Sequence, residues 1–222
     1  MWVPFIIELV FQVDLAHFGI YPRKALGLLG ILFSPFLHGD FNHIISNSFP
    51  VLVLGSLTYY FYKPIFYKSF FNIIIFGGLL VWLFARPSYH IGASGVIYGL
   101  ASLLFFNGMF RKSYRLVAVS LLVVFLYGGM IWGVLPLDEQ ISFEGHLAGA
   151  FVGFLISFRY RKWVFVEKKV YQWENDEEDI KQLESKYGER FWENPPIEEK
   201  QLTIRYFFKP KEKGEGGLGE RR

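Results

Sequence analysis

The sequence Gly92-Ala93-Ser94-Gly95-Val96-Ile97-Tyr98-Gly99 opens an apolar segment of about residues 94–110. A hydrocarbon core about 30 Å thick needs about 20 apolar residues per helix, with a range of roughly 17–25. The segment meets this length, yet it begins with a hydroxyl group between glycines. Polar groups inside a membrane are costly and indicate a functional site. Ser94 therefore marks both a predicted spanning helix and a candidate reactive residue.

Further apolar segments lie on both sides of this one, at about residues 2–13, 43–62, 69–84, 116–134 and 142–158. The first is too short to cross a membrane alone, so it either enters at a slant or continues a helix that begins upstream. It has neither a preceding basic region nor a small-residue cleavage site, so no signal peptide is predicted. The last segment is interrupted by Glu144 and His146. The spacing predicts an all-α bundle of six helices with a short first helix.

Charge divides the chain into two parts. Residues 1–158 hold 8 of the 23 Lys and Arg residues and 6 of the 20 Asp and Glu residues. A water-soluble domain of this length needs more polar surface. We therefore predict a transmembrane domain over residues 1–160 and a charged, cytoplasmic, partly disordered tail over residues 161–222. The net charge of +3 forms no basic stripe, and the chain has no cysteine, so no nucleic-acid partner, disulfide or thiolate site is expected.

The sequence of the tail predicts little regular structure. Residues Glu177–Tyr187 could form a short amphipathic helix, and Leu202–Phe208 a short strand or membrane-touching segment. Lys209–Arg222 is rich in glycine and charge, which is typical of disorder. The tail's aromatic residues could dock on the membrane surface or form a small packed unit: Trp163, Trp173, Phe191, Trp192 and Phe207.

Basic residues follow the second, fourth and sixth segments: Lys63, Lys68, Arg111, Lys112, Arg115, Arg159, Arg161 and Lys162. Cytoplasmic loops carry an excess of Lys and Arg, so this side is predicted to be cytoplasmic, with both termini on it. The opposite side holds fewer basic residues, namely Arg23, Lys24 and Arg86, and the acidic loop Asp138-Glu139. Ser94 and His146 both fall near the non-cytoplasmic ends of their segments. The expected location is the plasma (inner) membrane, with the site opening away from the cytoplasm.

Glycines on two predicted helices are spaced for close packing. Gly95 and Gly99 are four residues apart in the segment that begins at Ser94, and such spacing lets helix backbones approach closely. The last segment carries three more glycines at the same interval: Gly145, Gly149 and Gly153. His146 lies beside them. We expect the two glycine-faced helices to pack together, with Ser94 and His146 at similar depth.

This pairing suits nucleophilic catalysis, because a serine hydroxyl is a weak nucleophile until a base takes its proton. The alternatives are that Ser94 is a small packing residue and that His146 makes an interhelical hydrogen bond. The matched depth and the facing glycines favour the catalytic interpretation. Tyr98 lies one turn after Ser94, on the same helix face. Glu144 is expected to be a solvated rim acid, so the sequence predicts a Ser–His dyad without a third, acidic member.

An acyl-transfer site also needs donors aimed at the developing oxyanion. His43 and Asn47 are four residues apart, so they share one face at the start of the second segment. Their side chains can supply donors together with the backbone N–H of Ser94. The alternative is that both residues cap or hydrogen-bond a loop.

Other polar residues near these motifs have structural interpretations. His38 is expected to brace the loop that enters the second segment, and Asp40 to cap its first turn. His90 is expected to be an exposed loop residue. The sequence His-Glu-x-x-His does not occur, so no metal site is predicted.

The motifs resemble those of the rhomboid intramembrane serine proteases. The resemblance rests on three stretches in the right order: Ser34-Pro35-Phe36-Leu37-His38-Gly39-Asp40-Phe41-Asn42-His43-Ile44-Ile45-Ser46-Asn47, then residues 92–99 as quoted above, then Gly145-His146-Leu147-Ala148-Gly149. The resemblance as a whole covers roughly residues 15–158. The tail lies outside the resemblance.

The resemblance implies a six-helix membrane bundle with a water-filled cavity that opens to the non-cytoplasmic side. Ser94 would be the nucleophile and His146 the general base and acid. His43, Asn47 and the Ser94 amide would form the oxyanion hole, and Tyr98 would stack near His146. Residues with a supporting place in the motifs are Gly92, Gly95 and His38.

Substrates implied by the resemblance are single-span membrane proteins, cut by the endopeptidase within or next to a destabilised transmembrane helix. No cofactor is expected, and the partners are these substrates and the lipid bilayer. The sequence fixes no oligomeric state. Many rhomboid proteases carry a Trp-Arg pair in the first loop where this chain has Leu29-Gly30.

Two other functions fit a polytopic membrane protein. A catalytically silent rhomboid-like scaffold would bind transmembrane helices, but such relatives typically lose the Ser or the His, and this chain has both. A channel or transporter favours charges near the bilayer midplane, whereas the charges here lie at segment ends. An intramembrane aspartyl protease is also disfavoured, because it would need two Asp residues within spans and none is placed so.

Overall fold

The computed structural model describes residues 1–111, 113–138, 141–162, 176–190 and 192–193. It divides into two compact units, Met1–Glu167 and Lys168–Arg222. The first unit is helical in its described part, where its only β feature is an isolated antiparallel bridge between Ile20 and His90.

The described residues of the first unit form seven α-helices and several short turns of other helix types. The α-helices are α1 (Trp2–Phe11), α2 (Gly30–Phe33), α3 (Phe41–Asn72), α4 (Gly78–Phe84), α5 (Ser94–Arg111), α6 (Tyr114–Tyr127) and α7 (Phe143–Tyr160). The 3-10 segments are Ala16–Phe18, Ala25–Leu28, Ser34–Phe36 and Gly128–Val134, and a π-helical turn covers Ile73–Gly77. Each predicted apolar segment is therefore helical, and α5 and α7 begin within one residue of the predicted start.

The helical stretch from Phe41 to Phe84 folds back on itself at Tyr62, whose backbone is not helical (φ −134°, ψ 32°). A straight helix of these 44 residues would be about 66 Å long. His43 near its start lies against Gly92, only eight residues beyond Phe84, a distance of at most about 30 Å for extended chain. Both ends therefore lie on one side, and the stretch forms two helices, as the segments 43–62 and 69–84 predict.

Helices α5 and α7 run parallel in backbone contact. A methyl group added at Gly149 would collide with the Gly95 carbonyl oxygen, and one at Gly153 would collide with that of Gly99. No side chain fits at either position, which explains why glycine recurs every fourth residue. The predicted close packing of these two helices is confirmed.

Helix α6 packs antiparallel to α5. The Ser120 hydroxyl donates to the carbonyl of Phe105 at 2.8 Å, near the C-terminal end of α5. The 3-10 segment Gly128–Val134 then follows, and it contacts Tyr98 and His146. The loop after α6 thus returns to the N-terminal ends of α5 and α7, where Ser94 and His146 lie.

Two helical stretches in the described part of the chain are long and apolar enough to cross a membrane by length and composition, Phe41–Phe84 and Tyr114–Val134. With the bundle as a whole, they indicate an integral membrane protein. Many of its large apolar side chains point outward, for example Phe49, Leu52 and Phe125, which are more than 60% exposed. The core lies between the helices, around Leu54, Leu100 and Leu104.

The second unit contains α8 (Asp176–Tyr187), which confirms the predicted helix over 177–187. The predicted segment Leu202–Phe208 and the predicted disorder of Lys209–Arg222 lie outside the described residues, as do Trp163, Trp173, Phe191 and Phe207.

Candidate active site

Ser94 is the first residue of α5 and is half-buried. The chain enters the helix through Gly92, whose φ of +103° falls in a region that side chains rarely adopt. The Gly92 N–H donates to the Ser34 carbonyl at 2.8 Å, which holds this turn against the loop before α3. Ser94 lines a cavity of about 50 Å³, large enough to hold water.

His146 lies in the first turn of α7, and its side chain is buried. Its Nδ1 is 2.8 Å from the Gly133 carbonyl oxygen, which can only accept a hydrogen bond, so Nδ1 carries the proton. The neutral ring then presents Nε2 as an unprotonated acceptor. A carbonyl on the neighbouring 3-10 segment thus selects the tautomer that a general base requires.

Tyr98 fixes the plane of the His146 ring. The two rings are stacked, with centroids 4.1 Å apart and an interplanar angle of 11°. The Tyr98 hydroxyl donates to the Met130 carbonyl at 2.6 Å, so the tyrosine is itself held at both ends. The predicted stacking of Tyr98 near His146 is observed.

Ser94 and His146 are brought to the same depth by the contact between α5 and α7. A methyl group added at Gly95 would lie 3.2 Å from the Gly145 carbonyl oxygen, and these two glycines directly follow Ser94 and directly precede His146. The described residues include no hydrogen bond between the Ser94 hydroxyl and His146. Catalytic hydrogen bonds are often long before substrate binds.

His43 and Asn47 face the turn that leads to Ser94. A methyl group added at Gly92 would lie 2.6 Å from His43 Nε2 and 3.5 Å from Asn47 Nδ2. Asn47 is 4% exposed, and its Nδ2 has no hydrogen-bond partner in the described part of the chain. A buried amide donor without a partner is costly in a folded protein. Asn47 therefore offers an unused hydrogen-bond donor next to Gly92, which is two residues before Ser94.

Two structural expectations for the loop before α3 are confirmed. The Asp40 carboxylate accepts a hydrogen bond from the His43 N–H at 2.8 Å and caps α3. His38 is buried and its Nδ1 is 3.4 Å from the Phe36 carbonyl. Burial, assisted by the nearby His43, lowers the pKa of His38 to about 4, so His38 is neutral near pH 7 and braces the loop.

A family model described as "Rhomboid domain" matches residues 26–163 of this chain. The chain belongs to the rhomboid family. The match includes every residue of the site described above, from Ser34 to His146, and it ends close to the predicted boundary between bundle and tail.

Several proteins are similar to this chain over part of its length. An uncharacterized protein of Mycobacterium tuberculosis is 38% identical over 167 residues, which are 69% of this chain and 69% of that protein. An uncharacterized protein of Mycobacterium leprae is 35% identical over 167 residues, 69% of this chain and 66% of the relative. RHOMBOID-like protein 4 of Arabidopsis thaliana is 30% identical over 127 residues, 55% of this chain and 31% of that protein.

Two predictions about polar residues around the rhomboid site are wrong. His90 is 5% exposed rather than an exposed loop residue, because its backbone pairs with Ile20 and its ring lies against the start of α7. Glu144 is not a solvated rim acid. It forms an ion pair with Arg86 at 3.4 Å, and its side chain is 15% exposed, because the loop after α4 folds over the first turn of α7.

Sequence reasoning missed the groups that orient the candidate residues. The carbonyls of Gly133 and Met130 hold His146 and Tyr98, and a backbone acceptor leaves no signal in a sequence. It also missed Ser142, which caps α7 and accepts from the Gly145 N–H. A serine just before a predicted helix is a recognisable cap, and this signal could have identified Ser142.

The pair Leu29-Gly30, which stands where many rhomboid proteases carry Trp-Arg, lies at the junction between the 3-10 segment Ala25–Leu28 and α2.

Proposed function

We propose that this chain is an intramembrane serine endopeptidase that cleaves single-span membrane proteins within or next to their transmembrane helices. The observation that carries the proposal is the state of His146: its Nδ1 is held by a carbonyl, its ring is stacked on Tyr98, and its Nε2 is left to accept a proton. Membership of the rhomboid family supports the same chemistry. No cofactor is needed for it.

In the proposed mechanism Ser94 Oγ attacks the carbonyl carbon of the scissile peptide bond and passes its proton to His146 Nε2. The resulting oxyanion accepts hydrogen bonds from the Asn47 side chain, from His43 and from the Ser94 N–H. The C–N bond then breaks, and His146 returns the proton to the leaving amine. Water, activated by His146, hydrolyses the acyl-enzyme and regenerates Ser94.

The unpartnered Asn47 Nδ2 supports the role in oxyanion binding. A donor that already lacks a partner in the resting protein gains a hydrogen bond only when negative charge develops beside it. Such preorganised donors typically contribute about 10²–10³-fold in kcat. The position of His43 Nε2 against Gly92 places a second candidate donor on the same side of the turn.

We also propose six membrane spans with both termini in the cytoplasm of the cell that bears this protein in its plasma (inner) membrane. Helices α5 and α7 have 18 residues each, about 27 Å at 1.5 Å per residue, close to the thickness of the hydrocarbon core. The site then opens away from the cytoplasm. Residues 1–160 would act as the protease domain and residues 161–222 as a cytoplasmic tail.

The function is tested with detergent-solubilised protein, a fluorophosphonate probe and a model single-span substrate with a destabilised helix. The wild type is expected to be labelled and to cleave, and S94A to do neither. Ser113→Ala, at the distant start of α6, is the matched control and keeps both activities. Labelling and cleavage that persist in S94A would overturn the assignment. A wild type that binds the substrate helix but never cleaves would support the scaffold function instead.

The orientation is tested separately by labelling an introduced cysteine at Asp138 in intact cells. The proposal expects a membrane-impermeant reagent to reach it from outside. Protection of this position in intact cells, with labelling only after lysis, would contradict the proposed topology. It would not bear on the assignment of Ser94, which the labelling and cleavage assay tests separately.

A further inference from the structure

A short hydrogen bond joins the two loops that lead into α5 and α7. His90 Nδ1 lies 2.6 Å from the Ser142 hydroxyl. His90 is 5% exposed, and Ser142 is the residue that caps α7. Neither residue takes part in the proposed mechanism, and a buried histidine that bonds to a capping serine needs a reason.

The surrounding groups set the direction of every proton in this connection. His90 Nε2 lies 3.1 Å from the Arg86 carbonyl, which can only accept, so Nε2 carries the proton. Nδ1 is then an acceptor, and the Ser142 hydroxyl donates to it. The Ser142 oxygen in turn accepts from the Gly145 N–H at 3.3 Å. The chain of donors thus runs from the first turn of α7 to the loop that follows α4.

The two residues of this connection lie at the same sequence distance from the two candidate catalytic residues. His90 is four residues before Ser94, and Ser142 is four residues before His146. The Ser142 carbonyl also accepts from the His146 N–H at 3.2 Å, and the His90 backbone pairs with Ile20. His90, Ser142 and Ser94 line the same cavity. A displacement of Ser142 is therefore transmitted through the first turn of α7 to His146, and a displacement of His90 through the short loop of residues 91–93 to Ser94.

We propose that the His90–Ser142 hydrogen bond is a clamp that sets the separation of Ser94 from His146, which makes His90 and Ser142 positioning residues. The inference rests on the proposed function, because it assigns these residues a role in the reaction of Ser94 and His146. The glycine contacts set how closely α5 and α7 approach, and the clamp sets how their first turns are held relative to each other.

The charge around the clamp is consistent with a neutral imidazole. The charged groups facing His90 are Arg86 and Glu144, which form an ion pair with each other. Burial lowers the pKa of His90, so the ring stays neutral at pH 7 and keeps Nδ1 as an acceptor for Ser142.

The first test measures kcat and KM of H90A and S142A on a single-span substrate in detergent. Misplacing reacting groups by about 1 Å costs about 10²-fold. We expect kcat to fall about 10²-fold, KM to change less than twofold, and fluorophosphonate labelling to slow in parallel, since the probe needs Ser94 and His146 but no substrate helix. Unchanged kcat and labelling in both variants would overturn the clamp.

Two further sets of variants separate positioning from a general loss of structure. S142T retains a hydroxyl and a capping oxygen, and we expect kcat within about threefold of wild type. Ser88→Ala is the matched control, because the Ser88 hydroxyl is 3.4 Å from the other ring nitrogen of His90; it should keep full activity. H90A/S142A should be no slower than either single variant, because both remove one bond. Multiplying effects would contradict the clamp.

A measurement that needs no activity distinguishes failure of the clamp from failure of the proposed function. In protein with ¹⁵N-labelled imidazoles, His90 should show a neutral ring with protonated Nε2, and its Nδ1 resonance should shift in S142A but not in S142T. If the wild type cleaves nothing but the His90 resonance still shifts in S142A, the hydrogen bond exists and the proposed protease function is refuted. A wild type that cleaves while the His90 resonance ignores S142A would refute the clamp alone.

Discussion

The helix pair α5 and α7 carries polar residues at both ends, but these residues differ in their burial and hydrogen bonding. At the Arg111 end the polar groups are buried and bonded to one another. Asn107 donates to Ser157 at 3.1 Å and to the Leu103 carbonyl, and Arg111 bonds to Asn107 and to the Tyr160 carbonyl. At the Ser94 end, Ser94 is half-buried and its hydroxyl does not bond to His146.

This difference separates the polar groups that hold the bundle together from those that the proposed reaction would use. Asn107 and Ser157 are fully buried, and their hydrogen bonds offset the cost of placing polar groups among apolar helices. Asn47 is almost as buried, but its Nδ2 lacks a partner in the described part of the chain. A network with all bonds made stabilises the fold, whereas an unused donor beside Ser94 is available to a reacting group.

Replacing His146 gives the largest expected effect and tests the chemical end. In H146Q we expect cleavage to fall about 10⁴–10⁶-fold, because the base that activates Ser94 is lost. His17→Gln is the matched control, since His17 is exposed and far from His146 in the sequence, and this variant should cleave normally. Single-turnover cleavage assays measure both. If H146Q retained a tenth of the wild-type rate, a different base would have to be sought.

Replacing Asn47 separates catalysis from stability at the same end. In N47A we expect kcat to fall about 10²–10³-fold through the loss of an oxyanion donor. Thermal stability in detergent should stay level or rise, because removing an unpartnered buried donor removes a desolvation cost. Asn42→Ala, exposed on the same helix, controls for the substitution. A clear drop in Tm with normal kcat would make Asn47 a structural residue like Asn107.

Replacing Asn107 should give the reverse pattern. In N107A we expect the free energy of unfolding to fall by about 1 kcal/mol, because Ser157 and Arg111 each lose a partner and interhelical hydrogen bonds in membranes contribute about this much or less. The kcat should stay within about twofold. Asn72→Ala, half-buried in α3, is the control. Tm and kcat measured on one preparation decide whether the two ends are as distinct as proposed.

The smallest expected effect is a pH dependence of stability from His38. The pKa of His38 is about 4 in the folded protein, below its usual 6.5. Between these values the unfolded chain binds more protons than the folded one, so stability is full above about pH 6.5 and falls as the pH drops toward 4. We expect Tm to fall by about 2–4 °C per pH unit from pH 6 to pH 5.

The variant H38Q should flatten this slope, because it removes the titrating group while keeping a donor for the Phe36 carbonyl. The groups that face His38 are His43, Asp40 and the N-terminus, and they remain in the variant. An unchanged slope in H38Q would assign the acid sensitivity to another group. Thermal unfolding in detergent across this pH range, for both proteins, gives the comparison.

Much of this fold follows from the length and spacing of apolar segments. The predicted starts at residues 94 and 142 lie within one residue of α5 and α7, and the glycine interval predicts their contact. These features are local or periodic. The reversal at Tyr62 was predicted only as a gap between segments, because the backbone angle at one residue depends on how both halves pack.

The candidate site was predictable where the chemistry lies in side chains and unpredictable where it lies in loops. Ser94 and His146 could be paired through the glycines around them, and His43 and Asn47 through their four-residue spacing. The burial of His90 could not be foreseen, because it depends on pairing with Ile20, which is 70 residues away in the sequence. The same holds for the ion pair of Arg86 with Glu144.

The backbone contact between α5 and α7 also has a consequence for how this protein can change. Gly149 and Gly153 face the carbonyl oxygens of Gly95 and Gly99 and not side chains, so at these two positions the helices meet without side chains that could change rotamer. The outward faces of the same helices, such as Phe151 and Leu155, are half exposed and lie apart from that contact. Substitutions on these outward faces can therefore adapt the protein to a membrane of different thickness or composition without changing the backbone contact at Gly149 and Gly153.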